Sequence, residues 1–111
     1  MIRDRRKGIE RRTAVRRDVT IDIEWQGRSG TEKGVLADVS EKGCFVLGSG
    51  NVEDGDMVEI FVPVSDEVKV QFSGEVINHV LDIGFGMKFV GINSAQQDLL
   101  HKIIASSSER G

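Results

Sequence analysis

The 111 residues include one cysteine, one proline, one tryptophan and no tyrosine. The lone Cys44 excludes an internal disulfide and a thiolate metal cluster, which fits a reducing compartment. Pro63 falls near the end of an apolar stretch, where a missing N–H is tolerated. No run of about 18 apolar residues is present to span a bilayer, and the N-terminal MIRDRRKGIERR lacks the apolar core of a signal peptide. A cytoplasmic location is expected. At 111 residues with 39% hydrophobic and 30% charged side chains, the chain suits one soluble domain and is too short for two.

What the chain does have is charge, unevenly distributed. Its net charge is -3, yet residues 1–17 carry eight Arg and Lys against two acids, whereas residues 18–111 carry seven against sixteen. The first part is therefore +6 and the rest -9. A split of this kind marks a basic arm that meets phosphates, nucleic acid or an anionic surface, joined to a body that does not.

Beyond the arm, the hydropathy pattern has a period of two. Val19, Ile21, Ile23 and Trp25 alternate with Thr20, Asp22 and Glu24, which predicts a half-buried strand closing at 26–30. A second strand runs from Thr31 to Val39, and SEKG at 40–43 turns into CFVLG as a hairpin. GSGNVEDGD is turn chemistry, and MVEIFVPV is a further strand. VKVQFSGEVINHV follows, with Gly74 read as a bulge or bend, and DIGFGMKFVGI is the last strand. Leu99, Leu100, Ile103 and Ile104 are spaced as one face of a helix over 94–105. Ser94 is the expected N-cap with Gln97 at the capping-box position, and Asn93 is the alternative cap. Five to seven short strands and one helix imply a small antiparallel barrel with the helix packed over one end.

Catalytic chemistry has little support. His79 and His101 lie in a strand and a helix, outside any HExxH, Cys-His or Gly-x-Ser-x-Gly setting, and read as structural or solvated. Cys44 reads as a small buried hydrophobe. The glycines of GSGN and GFGMKFVG fit neither a dinucleotide fingerprint nor a P-loop. EDGD at 53–56 lacks the alternating oxygen ligands and distal Glu of a calcium loop, and is taken as a solvated turn. No enzyme, metal site or cofactor is expected.

The arm and one turn carry more. Arg11, Arg12 and Arg16 offer planar forks that can grip phosphate oxygens, address the O6/N7 edge of guanine or stack on a base. In an extended segment Arg12 and Arg16 lie roughly 13 Å apart, at about 3.3 Å per residue, a span suited to clamping a compact dinucleotide. A helix would instead stack the two like charges on one face. By itself the arm also fits a solvated tail. In DVSEKG, Asp38 can accept from the N1–H and N2–H2 donors of guanine, Ser40 can donate or accept beside it, and Gly43 permits a tight turn exposing both. An ordinary Asx or Ser turn is the plainer alternative.

Together, RRTAVR and DVSEKG resemble the PilZ domain family. Arg12 and Arg16 match its Arg-x-x-x-Arg arm, and Asp38, Ser40 and Gly43 match its Asp/Asn-x-Ser-x-x-Gly turn. GFGMKFVGI before a short helix is similar to the family's closing strand and helix, so the resemblance covers about residues 10 to 105. It implies a six-stranded antiparallel β-barrel with one C-terminal α-helix and a flexible basic arm, binding the bacterial second messenger cyclic di-GMP. By the same resemblance the arm arginines hold phosphates and guanine edges and the Asp/Ser turn addresses a base. Arg11 bears on whether one ligand or a stacked pair is held, and a pair is expected. Arg3, Arg5, Arg6 and Lys7 lie outside the motif, as steering charges or a solvated tail.

The expected organisation is a basic arm at 1–17, the barrel and helix at 18–105, and a disordered tail at 106–111. Ligand binding is expected to draw the arm onto the barrel and so present a face to an effector protein, the chain itself being a monomer. Two rivals remain. One is a small barrel binding RNA or single-stranded DNA through the arm, which the negative body and scarce aromatics oppose. The other is a PilZ adaptor that binds no ligand, which the intact motif positions oppose.

Overall fold

The computed structural model describes residues 17–28 and 30–107. Six strands appear in chain order: β1 (Arg17–Gly27), β2 (Gly30–Val39), β3 (Gly43–Leu47), β4 (Met57–Pro63), β5 (Lys69–Val80) and β6 (Gly84–Val90). A helix, α1 (Ser94–Ser107), follows them. The strands close into a barrel in the order β1-β2-β3-β6-β5-β4, each pair antiparallel.

The period-two pattern becomes the barrel wall. Ile23 and Trp25 of β1, Leu36 and Val39 of β2, Ile60 of β4, Phe72 and Val76 of β5, and Phe85 and Met87 of β6 point inward and are almost wholly buried. Trp25 and Phe85 meet edge to face, with ring centroids 4.9 Å apart, a favoured aromatic arrangement. Burial of each such side chain is worth about 1.5–3 kcal/mol. Cys44 is fully buried among these groups, in keeping with a small hydrophobe.

Gly74 departs from expectation. Pairing runs unbroken through it on both sides, with Val58 on β4 and Phe89 on β6. A Cβ there would come within 2.9 Å of the Lys88 carbonyl and crowd Met87, so a close approach, not a bulge, requires the glycine. The bulge of β5 falls later, between Val76 and Asn78. Two further register shifts lie near the mouth of the barrel, in β1 between Asp18 and Ile21 and in β2 between Leu36 and Asp38.

The helix is capped by Asn93, the alternative cap, one residue before Ser94. Asn93 Oδ1 accepts from the Gln96 N–H at 2.8 Å, and Gln96 Oε1 accepts from the Asn93 N–H at 2.7 Å, a reciprocal capping box. Ser94 is thus the first residue of the helix, and Gln97 donates its N–H to the Asn93 carbonyl. Leu100 is 2% exposed, with Leu99, Ile103 and Ile104 packed on the core beside it, and the helix rests against β1 and β5. It extends through Ser107, two residues into the expected tail; residues 108–111 lie outside the described residues. No helix among the described residues is long and apolar enough to cross a membrane.

Candidate functional site

DVSEKG occupies the end of β2 and the β2–β3 turn. The Ser40 N–H donates to the Gly43 carbonyl at 2.8 Å, closing the turn. The Ser40 hydroxyl accepts from the N–H groups of Lys42 (3.2 Å) and Gly43 (3.3 Å) and donates to the Gly43 carbonyl (3.3 Å). With Ser40 only 3% exposed, this hydroxyl builds the turn from within. The expectation that the turn exposes both Asp38 and Ser40 is thereby corrected: Asp38 is half-buried and Ser40 is buried.

Gly43 is required, for a different reason from the one anticipated. Its φ is not positive, but a Cβ would run into the Met87 carbonyl of β6. The glycine lets β3 approach β6, to which the turn is also pinned by the Phe89 N–H donating to the Lys42 carbonyl at 2.8 Å. On its other side, Glu41 Oε2 lies 3.0 Å from His101 Nε2, which ties the turn to α1.

The arm enters the barrel beside this turn. Arg17, the first described residue, pairs with Val39, and Asp18 pairs with Asp38. Arg16 therefore precedes by one residue a strand position directly opposite the start of the motif. Arg11, Arg12 and Arg16 themselves, like Arg3, Arg5, Arg6 and Lys7, lie outside the described residues. Among the expected site residues, then, the structure brings together Asp38, Ser40 and Gly43.

Two neighbours went unread in the sequence. Arg17 is half-buried because it shares the inner face with the fully buried Val39, and its Nε is buried without a hydrogen-bond partner among the described residues. Asp18 stands opposite Asp38 on the outer face. Only the strand pairing reveals either, because the partners lie 22 and 20 positions away in the chain.

Several polar groups away from the turn have structural partners. Asp56 accepts two hydrogen bonds from Arg28, at 2.7 and 3.0 Å, and one from the Glu53 N–H at 3.0 Å, so EDGD is a turn held by its own last acid. The Arg28 bond, followed by that of the Glu53 N–H, holds the Asp56 carboxyl below its ordinary range. His79 Nδ1 is 2.8 Å from Asp54 Oδ1. Among the described residues no group of three metal-ligating side chains occurs. Two clefts, of about 570 and 510 Å³, lie on the β1–β2–β4 wall and between α1 and β4–β5; neither is lined by residues 38–43.

Comparison with known proteins matches this chain to the family model described as the PilZ domain over residues 10–106. No curated protein sequence matches it. Among solved structures, the PilZ domain of YcgR from Escherichia coli with c-di-GMP is similar at TM-score 0.71 and 17% identity, covering 90% of this chain and 93% of that one. The Bacillus subtilis inhibitor of motility (MotI/DgrA) is similar at TM-score 0.71 and 15% identity, covering 98% of this chain and 53% of that one. The PilZ domain of CeSA from a cellulose-synthesizing bacterium is similar at TM-score 0.64 and 21% identity, covering 83% and 96%. The chain spans about half the length of the motility inhibitor.

Proposed function

Because the chain belongs to the PilZ domain family, we propose that it is a cyclic di-GMP receptor whose basic arm closes on the turn at 38–43 and that signals through a partner protein. The observation that carries this reading is the pairing of Arg17 with Val39, which starts the barrel one residue after Arg16 and directly beside the turn. Arg11, Arg12 and Arg16 would then supply cations and stacking planes for phosphates and guanine, while Asp38 accepts from a guanine edge. Ser40 and Gly43 act through the turn they build. The structures of YcgR, a protein of this fold, hold c-di-GMP, which supports the ligand assignment.

On this reading the protein is a binding adaptor and not an enzyme, works in the bacterial cytoplasm, and takes a stacked ligand pair as a monomer. Ordering the arm costs about 1–2 kcal/mol per backbone residue fixed, which charge-assisted contacts to the ligand offset. Arm closure is then coupled to ligand concentration, and the closed face meets the effector. The negative body opposes a nucleic-acid-binding role.

Calorimetry with cyclic di-GMP tests the proposal on the unaltered chain and on an Arg12→Ala, Arg16→Ala double variant. Micromolar or tighter binding that the double variant loses is the expected result. Absence of binding by the unaltered chain would overturn the reading.

A further inference from the structure

Like charges placed directly opposite each other in an antiparallel pair destabilise a sheet, yet Asp18 of β1 stands directly opposite Asp38 of β2. Residues so paired project to the same side, with Cβ atoms about 4.5–5.5 Å apart. The next pair, Arg17 and Val39, projects the other way, and Val39 is fully buried. Both carboxylates therefore share the outer surface of the barrel mouth, Asp18 exposed and Asp38 half-buried. The row continues onto β3, where Phe45 is the partner of Asp38 and is itself half-buried. Three neighbouring strands, about 4.8 Å apart, thus present a carboxylate, a carboxylate and an aromatic ring in line.

We propose that Asp18 is a second base-reading carboxylate of the ligand site, addressing the guanine next to the one that Asp38 addresses. The proposal rests on the cyclic di-GMP reading above and adds a residue that neither the arginine motif nor the Asp-x-Ser-x-x-Gly turn contains. Its chemistry is that of the guanine edge: N1–H and the N2 amino group point the same way, and a carboxylate accepts both in parallel. Two acceptors on adjacent strands match two guanines lying side by side, and Phe45 offers a stacking face at the end of the row. The competing role for Asp18 is as a counter-charge to the arm, and that role would serve any anionic dinucleotide equally.

A double-mutant cycle separates the two roles. Kd values are measured by calorimetry for cyclic di-GMP and for its inosine analogue, which keeps the phosphates, ring shape and N1–H but lacks the N2 amino group. The unaltered chain and Asp18→Asn are each tested against both. Asp18→Asn is expected to weaken cyclic di-GMP about tenfold, the effect of losing a charge-assisted bond, and to weaken the inosine analogue about threefold or less. The variant is also expected to melt no lower than the unaltered protein, because it removes a like-charge contact. Unchanged cyclic di-GMP affinity overturns the proposal, and so does an equal loss for both ligands, which is the counter-charge result. If the unaltered chain binds neither ligand, the receptor reading fails along with it; if the unaltered chain binds and Asp18→Asn is indifferent, only the role of Asp18 falls.

Discussion

Ser40 illustrates how one buried hydroxyl can shape a surface it never reaches. Replacing it with alanine leaves the Lys42 and Gly43 N–H groups without their acceptor inside the turn. A loss of about 1–3 kcal/mol in unfolding free energy is expected, read from urea denaturation, together with weaker cyclic di-GMP binding because Asp38 loses its support. Asp38→Asn should also reduce affinity, read by titration calorimetry. DVSEKG was legible in the sequence as a turn with an acid at its start. The division of labour within it was not, because burial of Ser40 and the approach of Met87 to Gly43 depend on where β6 lies.

At the scale of elements, α1 and the 48–56 loop are attached by different forces. The helix is held by apolar contact, so Leu100→Ala is expected to cost about 2–5 kcal/mol, measured by urea denaturation. The loop is held by Val52, at the edge of the core, and by the Arg28–Asp56 pair. Folding lowers the Asp56 carboxyl below its ordinary 3.8, so the bond contributes stability above that value and loses it as pH falls through the lower folded value. Thermal melts followed downwards from about pH 5 should show a decline that Asp56→Asn flattens. Strand positions were readable from alternation alone, as MVEIFVPV and β4 show. Bulge positions were not, because a register shift is a property of two strands; Gly74 attracted that reading and Ile77 owns it. The helix cap was one residue off because Ser94 and Asn93 are both good caps, and Gln96 decides between them.

The molecule as a whole sets a basic segment against an acidic barrel, the asymmetry visible from residue counts alone. Phosphate recognition by arm cations would be screened by salt, with a Debye length of about 10 Å at 0.1 M. Cyclic di-GMP affinity should therefore fall several-fold on going from about 0.05 to about 0.5 M salt; a flat response in titration calorimetry would point to base contacts alone. The closed barrel was foreseeable from strand number and the closing helix, whereas the row that joins Asp18, Asp38 and Phe45 depended on two register shifts that no single stretch encodes.

The attachment of the β2–β3 turn to α1 through Glu41 and His101, with Arg17 entering opposite Val39, puts the first described residue and the middle of α1 at the same mouth of the barrel. A module joined after α1 would therefore start close to the proposed ligand surface while leaving the arm that carries Arg11, Arg12 and Arg16 uninterrupted. A fluorescent reporter placed there should respond to cyclic di-GMP, read as a change in its emission on titration.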